Sequence, residues 1–489
     1  MDKNSTYNMR TVALIALVLV LSFGCRGGQR SPTNNSSGTN PDPQSEPLTL
    51  HRLQEDTFRY FWETTNAVTG LAPDRYPSDS PASIAAIGFA LTAYPIGAEH
   101  NYISRDQATD RTLATLRFLS SLPQGPGLEN AAGYQGFFYH FLDNQTGLRS
   151  QDWEVELSTV DTALLMAGVL FAQGYFDGQT AAETEIRTLA EALYRRVNWP
   201  WAQNNPPLIT LGWKPETGFL SHDWVGYNEA MLVYILALGS PTHPIESEAW
   251  TAWTDHYADD WGGSGPFEHL TFGPMFGHQY THVWIDFRDI QDAYMAGRNS
   301  DYFLNSRIAV DAQRQYAIAN PSGWTAYGSE IWGLTACDGP GPFRLQFNES
   351  TREFRGYSAR GVAMTHSFDD GTLSPTAVGG SIAFAPDIVI PALQAIYDQY
   401  GDYIYTGYGF LDAFNPSFLF NVTPEAGRII PGVGWIGSDY IGIDQGPILA
   451  MVENYQSELI WNTMKKNPHV RRGLERAGFS GGWLASSGP

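Results

Sequence analysis

The sequence predicts an all-α fold: an (α/α)6 barrel of six helical hairpins in two concentric rings, with long loops forming a cleft at one end. Three observations predict it. About twelve segments carry apolar residues at the three- and four-residue spacing of helices. The loops between them are very unequal in length. No fixed-period repeat and no second linker interrupts residues 47–489, which disfavours a solenoid and favours one closed catalytic domain.

The N-terminus reads as an address. Lys3 and Arg10 precede the apolar run from Val12 to Phe23, which is too short for a permanent membrane helix but suits a signal-peptide core. The run ends at Gly24-Cys25, which resembles a bacterial lipoprotein processing site. Residues 1–25 are therefore expected to be a lipoprotein-type signal peptide with Cys25 lipidated, and residues 26–46, rich in Ser, Asn, Gly and Pro, a flexible tether. The expected location is exported, on the periplasmic or outer-membrane side, touching membrane only through the lipid. With Cys25 so used, Cys337 is the remaining cysteine, and an intrachain disulfide is excluded.

In chain order the predicted helices are 48–64, 82–97, 104–121, 157–175, 181–197, 226–238, 246–257, 286–296, 301–319, 386–400, 444–464 and 468–477. Their boundaries carry start signals. Ser104 with Gln107 resembles a capping box, Ser158 or Thr159 suits an N-cap, and Pro386 suits a first turn. The loops 122–156, 198–225, 258–285, 321–385 and 401–443 concentrate Trp, Tyr, His, Asp and Gly, as cleft-building loops do. Parts of 340–385 and 403–440 read as strand-like.

A formal net charge of −22 opposes nucleic acid and polyanionic sugars, so a neutral partner is preferred. Aromatic residues make up 13% of the chain, with 15 Trp and 25 Tyr, against 16% charged residues. Rings with one apolar face and a polar handle suit sugar recognition, although a large core uses them too. Neither a dinucleotide or phosphate loop nor a nucleophile elbow stands out, and no cofactor is expected.

Carboxylates gather at predicted helix mouths. Asp143, Asp152, Glu154, Glu156 and Asp161 precede or open the helix at 157; Asp161 lies among Val160, Ala163 and Leu164, where burial would raise its proton affinity. Pairing with the helix dipole is the alternative. Glu229 enters a helix that is apolar nearly all round. That environment keeps a carboxylic acid protonated at neutral pH, as a glycosidic leaving group requires, unless Glu229 only satisfies first-turn donors. Trp213, Tyr227, His278, Gln279, Tyr280, Trp284 and Arg288 supply ring faces and polar groups expected to contact sugar. His278 and His282 are four apart, but their surroundings do not read as helix and no metal is expected. Trp332, Glu330 and Asp338 lie in a Gly-rich loop where backbone can come close to a ligand, and Trp332 and Asp338, like Asp143, are expected to contact substrate; Asp444 opens a buried helix where capping is the leading reading.

Ten ordered segments, among them GFFYHFLD (136–143), ELSTVDTALL (156–165), GYNEAMLVYILALGSPTHP (226–244), FGHQYTHVWIDFRDI (276–290) and GIDQGPILAMVENY (442–455), together resemble the glycoamylase-like domain family. That family includes the endo-β-1,2-glucanases of glycoside hydrolase family 144. The resemblance, from about residue 50 onward, implies an (α/α)6 barrel, inverting hydrolysis of β-1,2-glucan or its oligosaccharides, and no required metal. It implies Glu229 as general acid and Glu156 and Asp161 as cleft carboxylates, leaving the base open among Asp161, Glu156 and Asp338. Exo-acting, sophorose-releasing and transglycosylating relatives remain alternatives, as does a non-catalytic glucan-capturing lipoprotein. A monomer is expected.

Overall fold

A computed structural model describes residues 47–151, 155–365 and 367–485. The predicted signal peptide, the Cys25 lipidation site, the tether, Asp152 and Glu154 lie outside them. The helices are α1 (Leu50–Thr64), α2 (Ile84–Glu99), α3 (Arg105–Ser121), α4 (Thr159–Tyr175), α5 (Ala181–Arg195), α6 (Met231–Gly239), α7 (Glu248–Thr254), α8 (Tyr257–Asp260), α9 (Phe276–Trp284), α10 (Ala293–Gly297), α11 (Tyr302–Ala319), α12 (Pro375–Gly379), α13 (Pro386–Ile404), α14 (Gly442–Gln456), α15 (Leu459–Met464) and α16 (Pro468–Arg476).

They form an (α/α)6 barrel. The inner ring is α2, α4, α6, α9, α12 and α14, whose residues are buried on nearly every face. A helix apolar all round needs cover all round, and the outer helices supply it: α1, α3, α5, α16, α11 and α13 pack behind the inner six. Two crossings are backbone against backbone. A Cβ on Gly168 of α4 would lie 2.1 Å from the Gly88 carbonyl oxygen of α2, and one on Gly473 of α16 would lie 2.1 Å from the Ile235 oxygen of α6. Only glycine permits such closeness.

The start signals are realised. Ser104 and Gln107 form a reciprocal capping box, the Ser158 hydroxyl accepts from the Asp161 amide, and Pro386 opens α13. Four elements depart from expectation. Phe276–Trp284 is a helix inside the predicted loop 258–285, and the predicted helix 286–296 shrinks to the five residues of α10. The inner helix α12 lies inside a predicted loop. The single helix expected at 444–464 breaks at Glu458, whose φ of 58° is left-handed, giving α14 and α15. Finally, the helix behind α6 is the C-terminal α16, so the sixth hairpin is closed by the chain end rather than by α7. The strand-like tracts form short ladders, including the hairpin Phe343–Phe347 with Ser350–Phe354 and a three-stranded sheet ordered Phe414–Asn415, Gly434–Ile436, Arg428–Ile430.

Candidate active site

The N-terminal ends of the inner helices converge at one mouth of the barrel. There the Tyr280 hydroxyl of α9 donates to the Ile443 carbonyl of α14 and the Thr376 hydroxyl of α12 donates to that of Asp444. Dipoles of helices that share an end favour negative charge at that end, and the sequence supplies it in two groups.

The first group centres on Glu229, in the turn just ahead of α6. The residue is half-buried, but its Oε2 is sealed from solvent and has no hydrogen-bond partner among the described residues. Burial, aided by the negative charge of Asp161, pushes its carboxyl up to about 7. Asp161 stands in the first turn of neighbouring α4, where the Ser158 hydroxyl donates to its Oδ2. His140 bridges Asp161 and Glu156: Nδ1 is 3.0 Å from Glu156 Oε1 and Nε2 is 3.5 Å from Asp161 Oδ1. Burial would strip the proton from this imidazole, but the two carboxylates overcome it and raise it to about 9. The effects on the acids differ. Burial would raise Glu156, and His140 outweighs it to leave Glu156 below the usual range; for Asp161 burial wins and the carboxyl is raised.

The second group surrounds Arg75, whose Nη1 is 3.0 Å from Asp338 Oδ2 and 3.8 Å from Asp439 Oδ2, while Nε is 3.4 Å from Asp74 Oδ2. The Asp338 amide donates to Asp412 at 2.7 Å, and Asp412 faces Asp444. Asp444 does not cap α14; its carboxyl meets that of Asp412, and Asp444 Oδ2 and Asp412 Oδ1 are buried with no donor from any other described residue. Burial raises both carboxyls; after it the charge of Asp338 raises Asp412 and that of Asp412 raises Asp444, while the hydrogen bond between the two lowers Asp412 and raises Asp444. Two such acids cannot both ionise freely, so they share a proton.

These loops are tied together from behind by Arg360. It is fully buried, forms a bidentate pair with Asp370, and donates to the carbonyls of Cys337, Arg355, Gly356 and Ser358. Those carbonyls adjoin Asp338 and bracket Tyr357, an exposed residue overall, whose hydroxyl is held un-ionised by local desolvation and by Asp444, Asp412, Asp74 and Asp338.

The predicted residues divide accordingly. Glu229, Asp161, Glu156, Tyr280 and Asp338 come together at the mouth. Tyr227 and His278 lie buried behind Glu229, the tyrosine hydroxyl 3.2 Å from His278 Nδ1. His278 and His282 are indeed one turn apart on α9, but both are buried and kept neutral, chiefly by desolvation. Gln279 is fully buried and ties α9 to α12 through the Thr376 and Ala377 carbonyls. Trp284 is core, stacked on Phe89 with its indole N–H on Thr92. Arg288 follows the far end of α9, pairing with Asp286 and Glu458 over Trp461. Asp143 caps a turn through the amides of Gln145 and Thr146. Trp332 is buried, Glu330 exposed. Trp213 pairs with Leu157, so side-chain alternation turns its ring away from Glu156 and toward Tyr134 and Trp201.

Sequence reasoning missed His140, Asp74, Arg75, Asp412 and Arg360. The signal for Arg75 was available only as a charged pair with Asp74, and that for Asp412 only as a lone charge in a loop. A separate cavity of about 380 Å³, lined by Glu99, His100, Glu453 and Lys466, opens at the C-terminal end of the inner helices and shares none of these groups.

The Glycoamylase family model matches residues 221–468, just over half of the chain. The chain belongs to this family. Among solved structures of similar fold is the endo-beta-1,2-glucanase from Chitinophaga pinensis in complex with sophorotriose and glucose, 27% identical, TM-score 0.74, covering 89% of this chain and 100% of that one. A beta-1,2-glucanase from Parabacteroides distasonis is 26% identical with TM-score 0.74, covering 88% of this chain and 60% of that one. A curated relative from the same species, an exo beta-1,2-glucooligosaccharide sophorohydrolase acting at the non-reducing end, is 28% identical over 466 residues, 89% of this chain. The chain spans 58% of that relative's length.

Proposed function

We propose that the protein is a glycoside hydrolase that cleaves β-1,2-glucan or its oligosaccharides by a single displacement. The observation that carries the chemistry is Glu229, a carboxyl lifted to about 7 by burial, with a sealed, unpartnered oxygen at a barrel mouth lined by further carboxylates. Such an acid keeps its proton near neutral pH and can give it to a departing sugar oxygen. The substrate follows from the relatives, which are named for β-1,2-glucans.

A carboxylate across the mouth activates water, directly or through a substrate hydroxyl. Asp161 is tied to Ser158 and His140 and adjoins Glu229 itself. That favours the Asp338, Asp412 and Asp444 group on the opposite side. Inversion calls for roughly 6.5 to 9.5 Å between the acid and base carboxyls, and retention for about 5 Å.

The exo reading has one specific support, the curated exo-acting relative. Incubation with linear β-1,2-glucan, with product sizes and the anomeric form followed over time, tests all of this. An endo-acting inverting enzyme yields mixed lengths as the α-anomer, and an exo enzyme yields sophorose alone. Binding without new reducing ends would refute hydrolysis and favour a glucan-capturing protein. Lipidation at Cys25 and a monomeric, membrane-tethered state belong to the same proposal; a Cys25→Ser variant that fractionates with membranes as firmly as the parent would overturn the anchor.

A further inference from the structure

His140 occupies an unusual position for a histidine: each ring nitrogen meets a carboxylate, Glu156 on Nδ1 and Asp161 on Nε2. A neutral imidazole has one N–H, so while both acids are ionised only the doubly protonated ring presents an N–H to each. The ring cannot swing away. Its residue is pinned by backbone bonds, the His140 amide to the Glu156 carbonyl and the Ile84 amide to the His140 carbonyl, and the ring lies on Phe141 with centroids 3.8 Å apart. The charged groups that face the ring are Asp161, Glu156 and Asp74, all acidic; Lys214 faces Glu156 from the adjoining strand. On the far side, the charged group acting on Glu229 is Asp161, and Tyr280 also faces both.

We propose that His140 is a positioning residue that stays positively charged, holds Asp161 as an anion, and through Asp161 keeps Glu229 protonated between turnovers. This rests on Glu229 being the acid. Burial has already raised Asp161, and His140 is the first group opposing that rise. Without the imidazolium, Asp161 takes up a proton more readily, its negative field at Glu229 weakens, and Glu229 ionises more readily.

The sign of the effect gives a test that does not need turnover. Glu229, raised above its ordinary value to about 7, contributes stability that is present in acid and lost as pH rises through about 7. Glu229→Gln should therefore gain melting temperature relative to wild type as pH rises across that range. In a His140→Gln background the midpoint of this gain should move down by at least about half a pH unit. Asp161→Asn should move it the same way, and the two changes together should add nothing further. Identical midpoints in all backgrounds would overturn the proposal, and Asp161→Asn decides it if His140→Gln does not fold. The alkaline limb of kcat/KM on β-1,2-glucan should shift with the melting data. Failure of wild type to cleave β-1,2-glucan would instead remove the proposed function, leaving the melting comparison to judge His140.

Discussion

Removing the Arg360 guanidinium should be among the most damaging single changes outside the cleft. Arg360 and Asp370 are both fully buried, and the arginine also satisfies four loop carbonyls, those of Cys337, Arg355, Gly356 and Ser358. Arg360→Met leaves Asp370 as an uncompensated buried charge, at a cost of about 3 to 5 kcal/mol. Orphaned carbonyls add about 1 kcal/mol each unless water enters. A total of at least ~4 kcal/mol, divided by an unfolding entropy of roughly 0.9 kcal/mol/K for about 440 residues, lowers the melting temperature by about 4 °C or more. Because the same carbonyls fix Asp338 and Tyr357, kcat should fall together with stability. Arg360→Lys keeps the charge without the planar fork and should lie between. Arg360→Met with Asp370→Asn should be less unstable than Arg360→Met alone, since no lone charge remains buried. Scanning calorimetry of the four proteins checks this. A melting temperature for Arg360→Met within about 1 °C of wild type would refute the reasoning.

Gly168→Ala should destabilise by about 1 to 3 kcal/mol, since the new Cβ meets a backbone oxygen that cannot turn aside, a cost exceeding the roughly 1 kcal/mol gained in helix propensity; a raised melting temperature would count against the α2–α4 contact as described. Arg75→Met removes the cation between Asp74, Asp338 and Asp439. The acid limb of kcat/KM should then move up by about one pH unit or more, with partial recovery in Arg75→Lys; an unmoved limb would exclude Arg75 from setting the base. In wild type, kcat/KM should fall as pH rises through about 7, because Glu229 loses its proton there. A profile flat from pH 6 to 9 would place the acid elsewhere.

The outer helices and much of the inner ring were legible because their patterns are those of ordinary helices: amphipathic stripes outside, as in α1 and α5, and continuous apolar runs inside, as in α2, α4 and α6. The helix α9 was not. Its residues Phe276 to Trp284 include His278, Gln279, Thr281 and His282, all buried, so neither a stripe nor an apolar run marks it; tertiary partners (Tyr227, Ser306 and the α12 carbonyls) meet one polar atom each of His278, His282 and Gln279, while His278 Nε2, His282 Nδ1 and Gln279 Oε1 have no partner among the described residues. α12 is five residues long, too short for any period to register. At the site, carboxylates at helix mouths were readable by position, which located Glu229 and Asp161. His140, Arg75 and Asp412 lie on short strands or loops far apart in sequence, and only the closure of the ring brings them beside those acids. Trp284 and Arg288 show the converse limit: Trp284 ends α9 and Arg288 follows it, so both sit at the end away from the cleft.

On the proposed function, Glu229 is the general acid for cleavage of a β-1,2-glucosidic bond. It is tested most directly by assaying wild type and Glu229→Gln, matched for folding by circular dichroism and melting curves, for new reducing ends on linear β-1,2-glucan at neutral pH. Wild type should cleave the glucan, and the variant should lose activity on the order of 10²-fold or more with its fold retained. Turnover by Glu229→Gln close to that of wild type would contradict it.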